Sequence, residues 1–287
     1  MTKKVLIIGG SGFIGKNVVN SLLKKNFKVT VYDKKKISFN LKLVKFVKGS
    51  ILDKKKLSKL IKANEIIYHF AAISDIKEAN KNTVETIKQN IIGTVNILDE
   101  IKKNKKKKII FASSIYARSA QGGIYSISKR ASESLIDEYA RKFKFKFLIL
   151  RFGSIYGTGA NKFNPINEII KSAVKNKKII RPGNGEEVRS YIHVKDASKL
   201  CIKVLEKKYL NKYFNLIGEK KIRVKKLLHF ISKKTSSKII YNPKIKMDYH
   251  YSVNPFTFKV KKGLTLIEKK PIKLSLGITE IINIFNK

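Results

Sequence analysis

The segment Gly9-Gly10-Ser11-Gly12-Phe13-Ile14-Gly15 limits what this chain can become more than any other stretch. It follows Lys4–Gly9, whose apolar run reads as a buried strand, and opens Phe13–Lys25, which reads as a helix. Glycines at 9, 12 and 15 permit a tight turn, close approach of the backbone to a ligand, and close packing of the helix. The first helical turn, with Phe13 and Ile14, then offers free N–H groups and a positive dipole end to a pyrophosphate. Asp33 ends the next strand-like run, where a carboxylate accepts hydrogen bonds from an adenosine ribose and repels a 2′-phosphate. The pattern predicts NAD as cofactor. Lys34–Lys36 follow directly and could accommodate that phosphate, which keeps NADP as an alternative.

Apolar runs continue to alternate with helical patterns. Lys28–Tyr32, Leu43–Val47, Ile66–Phe70, Lys108–Ala112 and Phe145–Arg151 read as strands. Between them lie a helix that Asp53 could cap, with Leu57, Leu60 and Ile61 on one face, and a long helix over Thr83–Lys103. A third helix runs from about Tyr125 to Lys142. Such alternation predicts a parallel sheet covered on both faces, and right-handed crossovers make it doubly wound. After Gly157 the rhythm breaks into Gly-, Asn- and Pro-rich loops around a helix at about Asn167–Lys175. Helix Val194–Lys207 and strand Tyr213–Leu216 look like returns to the main sheet, and Arg223–Lys234 and Ile278–Phe285 read as amphipathic helices. The expected division is a dinucleotide-binding domain over 1–157, rejoined by 188–217, with 158–187 and 218–287 forming a small substrate-binding cap. The run Lys105–Lys108 reads as a solvated helix-to-strand turn.

Composition narrows the setting. The chain is 43% hydrophobic, enough for a packed core, and its 64 basic and 20 acidic residues give a net charge of +44. That charge attracts polyanions in a salt-dependent way. Yet the base is spread as 57 lysines against seven arginines, and bidentate reading of phosphates and guanine edges favours arginine. No specific nucleic-acid partner is expected. The single cysteine, Cys201, excludes an internal disulfide and reads as a small buried apolar residue. No apolar run is long enough for a membrane span, and the apolar start lacks a small-residue cleavage site, so a cytoplasmic protein is expected.

Tyr125-Ser126-Ile127-Ser128-Lys129 forms a second constellation. At the start of a helix, i,i+4 spacing sets Tyr125 and Lys129 on one face. A lysine charge there is expected to lower the phenol towards neutrality, as a general acid/base needs. Ser113 and Ser114 end the strand just before, where a hydroxyl could hold the same substrate oxygen.

With Ile67-Tyr68-His69-Phe70-Ala71-Ala72, Asn90-Ile91-Ile92-Gly93-Thr94, Leu150–Gly157, Gly183-Asn184-Gly185 and Arg189–Asp196, these motifs resemble the extended short-chain dehydrogenase/reductases. Within them the chain looks like the NAD-dependent epimerase/dehydratase family acting on nucleotide sugars. The resemblance covers nearly the whole chain and implies a Rossmann-type α/β fold. It implies that Tyr125 is the acid/base, Lys129 its electrostatic partner and a ribose ligand, and Ser114 the group that positions the hydroxyl. Cofactor contacts would come from Gly9, Gly12, Phe13, Ile14, Gly15, Asp33, Ser50, Ile51, Ala71, Ala72, Asn90, Tyr125 and Lys129. Substrate contacts would come from Ser74, Ser114, Ser154 and Arg189, the last pairing with a phosphate. No metal is implied; His69 and His193 read as structural, and Glu133 as a helix-face carboxylate that packs or pairs with a lysine.

Departures from the family pattern matter. Ser50 stands where an Asp often contacts adenine, Ser154 where sugar epimerases commonly carry Asn, and the segment from Ser114 to Tyr125 is short. Ser114 is followed by Ile115, Tyr116, Ala117 and Arg118, without the acidic group that dehydratases use to eliminate water. The expected activity is therefore epimerisation of a nucleotide sugar at C4 through a transient keto sugar. The alternative is a reductase of a nucleotide 4-keto sugar, and a third reading is a non-catalytic dinucleotide-sensing or polyanion-binding protein. The resemblance also implies a homodimer joined through segments 83–103 and 125–142, weakened at low salt by lysine repulsion.

Overall fold

The computed structural model describes residues 3–35, 43–160 and 164–242. Its centre is a seven-stranded sheet built from β1 (Lys4–Ile8), β2 (Lys28–Asp33), β3 (Val44–Lys48), β4 (Ile66–His69), β5 (Lys108–Ser114), β6 (Lys146–Phe152) and a late strand, Lys212–Leu216. The order across the sheet is late strand, β6, β5, β4, β1, β2, β3, and every pairing is parallel. The chain therefore builds outwards from β1 to β3 and then returns to place β4 on the other side of β1. Between β1 and β4 the strand order reverses, and the crevice at their carboxyl ends is where such sheets hold ligands.

Both faces of the sheet are covered, as the near-continuous apolar strands require. Val5 and Ile7 of β1 face α1 (Phe13–Leu23), which buries Val18, Val19 and Leu22. Burying each such side chain is worth about 1.5–3 kcal/mol. Leu6 and Ile8 point the other way, towards α2 (Lys54–Ala63), which buries Leu57 and Ile61. Asp53 caps α2 by accepting from the Lys56 N–H.

After β4 come α3 (Ile76–Lys81), α4 (Thr83–Thr86), a π-helical turn (Ile87–Ile92) and α5 (Gly93–Ile101). The expected single long helix thus carries a wider turn at Asn90, a feature often found near functional sites. Gly93 is required by close packing: a Cβ there would lie 2.8 Å from Ile51 Cγ2. A 3-10 turn (Ile115–Arg118) and the long α6 (Gly123–Phe143) follow β5.

Beyond β6 the chain leaves the main sheet through β7 (Ser154–Tyr156), α7 (Pro165–Asn176), β8 (Lys178–Pro182) and β9 (Val188–His193). It returns as α8 (Val194–Lys203), whose buried Ala197 and Cys201 join the α1 face, and as β10 (Lys212–Leu216) beside β6. Strand β9 does not rejoin the main sheet. It pairs with β7 and with β11 (Lys221–Arg223) in a small three-stranded sheet. The last elements, α9 (Val224–Thr235) and β12 (Lys238–Asn242), pack with α7 and β8 around Ala173, Ile179 and Leu228. The amphipathic segment anticipated over 278–285 lies outside the described residues.

Lys107 differs from the solvated turn expected of its lysine run. It is buried, and its ammonium donates to the carbonyls of Lys62 (3.1 Å) and Asn64 (2.6 Å) at the end of α2. Those carbonyls lack intrahelical partners, and a cation satisfies them. Among the described residues no helix is long and apolar enough to cross a membrane.

Candidate active site

The glycine loop occupies the carboxyl end of β1, at the reversal of strand order. Gly9 has φ +86°, and a Cβ on it would fall 2.3 Å from the Ala71 nitrogen, so the loops after β1 and β4 touch there. Gly15 is equally constrained, since its Cβ would lie 2.4 Å from the Gly9 carbonyl. Gly12 is different: its Cβ would meet only that carbonyl, at 3.4 Å. Space therefore remains in front of the first turn of α1, which carries no side-chain cap. The Ser11 hydroxyl is buried there without a hydrogen-bond partner among the described residues. Uncapped N–H groups, an orphan hydroxyl and a glycine without a filled Cβ position fit a dinucleotide pyrophosphate. Sequence reasoning passed over Ser11, whose hydroxyl is concealed inside a glycine pattern.

Asp33 receives the Ser11 N–H at 3.0 Å and the Lys35 N–H at 3.1 Å, so its carboxylate is fixed beside the loop. Ser50 Oγ accepts from Leu52 N–H at 3.2 Å, while the Ser50 carbonyl accepts from Tyr32 OH at 2.7 Å. Ile51 is buried next to it. Ala71 and Ala72 follow β4, and Ala71 N–H donates to the Ile8 carbonyl. The buried Asn90 joins three segments: Oδ1 accepts from Ile73 N–H, and Nδ2 donates to the Ile73 carbonyl and to Ser128 Oγ. Its amide thus ties the loop after β4 to α6.

At the carboxyl end of β5, Ser114 and Tyr125 are hydrogen-bonded to each other. Lys129 is buried one turn along α6. Its ammonium donates to the Ala112 carbonyl at 2.7 Å and lies 4.9 Å from the centre of the Phe111 ring and 5.9 Å from that of Tyr125. Burial draws Lys129 down to about 8, partly offset by the charge of Glu133. The phenol runs against the sequence expectation. Burial pushes Tyr125 upward, and its bond with Ser114 pulls the other way. Burial of the phenol sets the net direction, while the Lys129 ammonium is held on the Ala112 carbonyl close to the Tyr125 ring. With Tyr125, Ser114 and Lys129 in one place, the site can pass a proton to and from a bound hydroxyl.

Ser74 is exposed in the loop between β4 and α3. Ser154 and Arg189 belong to the small sheet, Ser154 opposite Tyr191 and Arg189 opposite Ile222. His193 caps α8, accepting the Lys195 N–H on Nδ1. His69 is buried, with Nε2 2.9 Å from Thr94 Oγ1, and burial together with the Lys129 charge lowers it to about 3. Glu133, expected as a helix-face carboxylate that packs or pairs with a lysine, is packed and buried, and the cation it pairs with is Arg151, in a two-pronged contact. The i,i+4 spacing from Lys129 was the sequence signal that set it behind the site. Among the described residues no group of His, Cys, Asp and Glu is arranged to hold a metal.

Residues 5–216 match the sequence model of a family described as the NAD dependent epimerase/dehydratase family. Over 273 residues the chain is 30% identical to a UDP-N-acetyl-alpha-D-glucosaminuronate decarboxylase of Bacillus cytotoxicus, covering 85% of this chain and 84% of that protein. It is 28% identical to a putative UDP-glucose 4-epimerase of Methanocaldococcus jannaschii, covering 97% of each. Among solved structures, the UDP-N-acetylglucosamine 4-epimerase of Methanobrevibacter ruminantium, in complex with UDP-N-acetylmuramic acid, has the same fold. Its TM-score is 0.79 at 22% identity, over 91% of this chain and 93% of that one.

Proposed function

Because the chain belongs to the NAD-dependent epimerase/dehydratase family, we propose that it epimerises a nucleotide sugar, inverting the configuration at C4. The meeting of Ser114, Tyr125 and Lys129 at the end of β5, facing the crevice between β1 and β4, carries this reading. NAD is the expected cofactor, and the uncapped start of α1 with Gly9, Gly12, Phe13, Ile14 and Gly15 would hold its pyrophosphate. Asp33 would take the adenosine ribose, while Ser50, Ile51, Ala71 and Ala72 border the rest of the crevice. Asn90 supports that border through Ile73. When bound, NAD supplies one piece of chemistry, reversible acceptance of hydride from the sugar carbon.

Everything else falls to the chain. Ser114 orients the C4 hydroxyl, and Tyr125 takes its proton as the carbon becomes a ketone. Tyr125 accepts that proton as its phenolate, the form that the Lys129 ammonium stabilises, and becomes a neutral phenol. The keto sugar turns within the pocket, and Tyr125 returns the proton after hydride comes back to the opposite face. Arg189 would grip a substrate phosphate while Ser154 and Ser74 contact the sugar. The residues after Ser114 favour this cycle over elimination of water: Ile115, Tyr116 and Ala117 are buried and apolar, with no carboxyl to remove a proton at C5.

We also propose a homodimer through α4, the π-helical turn, α5 and α6. Val84, Ile87 and Ile127 lie on these elements and leave large apolar side chains exposed.

The experiment mixes the purified protein, with NAD but without NADH, with UDP-, dTDP- and GDP-linked hexoses, N-acetylhexosamines and hexuronic acids. Anomeric protons are followed by NMR. A new 4-epimer with no net redox change is the expected result. Loss of carbon dioxide, or turnover only when a 4-keto sugar and NADH are supplied, would replace this reading with a decarboxylase or a reductase.

A further inference from the structure

Glu133 lies one turn beyond Lys129 on α6 and is 5% exposed. Its Oε1 accepts from the Ser113 hydroxyl at 2.5 Å and from Arg151 Nε at 2.9 Å, and its Oε2 accepts from Arg151 Nη2 at 2.6 Å. Ser113 stands between Ala112, whose carbonyl holds the Lys129 ammonium, and Ser114, which bonds Tyr125. Arg151 arrives from β6, with its guanidinium 4.8 Å from the centre of the Tyr213 ring on β10. One carboxylate therefore joins α6, β5 and β6 at the level of the reactive side chains.

A joint between helix and sheet does not need charge. Burying a carboxylate and a guanidinium carries a desolvation penalty that apolar side chains of similar volume avoid. The pair borders a cavity of about 430 Å³ that Arg118, Arg130, Asp137 and Tyr213 also line. What the charge does becomes plain from the surroundings of Lys129. Its own helix presents Tyr125 and Glu133. Strand β4 presents His69, which burial keeps neutral, and β5 presents the Ala112 carbonyl and the Phe111 ring. Strand β6 presents Arg151, directed at Glu133. Among these groups Glu133 is the carboxylate, held in its two-pronged pair with Arg151.

We propose that Glu133 is a positioning residue for the Tyr125–Lys129 site: its charge keeps the buried Lys129 protonated, and its bond to Ser113 fixes the strand that orients Lys129 and Ser114. The inference rests on the reading of Lys129 as the electrostatic partner of Tyr125.

The test reads Lys129 directly, without substrate. In protein labelled with ¹³C at lysine Cε, solvent-exposed lysines titrate near about 10.4. The Lys129 signal is the one missing from Lys129→Ala. Its midpoint should fall by about one pH unit in Glu133→Gln, because an opposite charge close by is lost. It should return towards the wild-type value in Glu133→Asp and rise in Arg151→Gln, where nothing offsets the carboxylate. The alkaline limb of kcat should move in the same directions. If Glu133→Gln does not fold, the upward shift in Arg151→Gln decides. An unmoved midpoint in the folded variants overturns the inference even if the enzyme is a 4-epimerase. Conversely, a moved midpoint with full activity in Tyr125→Phe leaves the Glu133–Lys129 coupling intact and overturns only the catalytic assignment.

Discussion

The Lys129 ammonium is 2.7 Å from the carbonyl oxygen of Ala112, two residues before the Ser114 that bonds Tyr125. Strand β5 thus holds the lysine by its main chain and the tyrosine by a side chain, so both are oriented by one rigid element. Pre-organisation of this kind lets a phenol exchange a proton without first reorganising its surroundings. Removing the Tyr125 hydroxyl leaves the strand, the lysine and the glycine loop untouched. Tyr125→Phe should therefore lower kcat by several orders of magnitude while NAD affinity, followed by fluorescence titration, changes little. Full turnover in that variant would remove Tyr125 from the mechanism.

Gly12 and Gly9 separate cofactor binding from folding. A methyl group on Gly12, whose φ is −71°, meets only the Gly9 carbonyl at 3.4 Å, but it projects into the space before the first turn of α1. Gly12→Ala should keep the wild-type melting temperature and lose about tenfold or more in NAD affinity, since backbone approach to the pyrophosphate is blocked. Gly9→Ala should fold poorly, because its Cβ would strike the Ala71 backbone at 2.3 Å and φ is +86°. Differential scanning calorimetry and NAD titration of both proteins make the comparison. Unchanged affinity in Gly12→Ala would mean that the pyrophosphate lies elsewhere.

Much of this architecture was legible because it is written in short-range pattern. The strand-like runs at Val5, Val29, Ile66 and Ile109 pair as parallel neighbours, and Asp53 caps the helix assigned to it. What escaped depended on partners distant in sequence. Lys107 reads as one more surface lysine until the carbonyls of Lys62 and Asn64, some forty residues earlier, come up against it. Glu133 reads as a helix-face acid until β5 and β6 bring Ser113 and Arg151 to it. The phenol of Tyr125 followed the same rule. Spacing sets Lys129 near it, but where the ammonium points depends on the Ala112 carbonyl, which helical periodicity does not encode.

The exposed apolar side chains on α4 and α6 predict a change of mass. Val84 is 67% exposed and Ile127 54% exposed, although both sit on well-packed helices. Light scattering should give a dimer in high salt that dissociates in part as salt is lowered, because lysines on facing copies repel more strongly when screening weakens. Ile127→Glu should give a monomer at every salt concentration. A wild-type mass that stays constant across the series would defeat the repulsion argument, and a monomer throughout would defeat the dimer.

His69 gives a prediction about acid stability whose sign is fixed by burial. Its ring is 1% exposed, Nδ1 has no partner among the described residues, and desolvation followed by the nearby Lys129 charge lowers it from 6.5 to about 3. Above about pH 6.5 the ring is neutral in both folded and unfolded chains, and the stability it permits is fully present. Between about 6.5 and 3 the unfolded chain takes up a proton that the folded chain refuses, so stability falls as pH falls, by roughly 1.4 kcal/mol per pH unit. His69→Gln removes that titration while keeping a side chain that can reach Thr94 Oγ1. Urea melts at neutral pH and at about pH 4.5 should show a smaller loss for the variant than for wild type, by roughly 2–3 kcal/mol. Its absolute stability at neutral pH can be lower, since the Phe111 ring loses a partner 5.2 Å away, but that deficit is the same at both pH values. Equal acid losses in the two proteins would mean that His69 is protonated in the folded state, with an acceptor for Nδ1 that offsets burial.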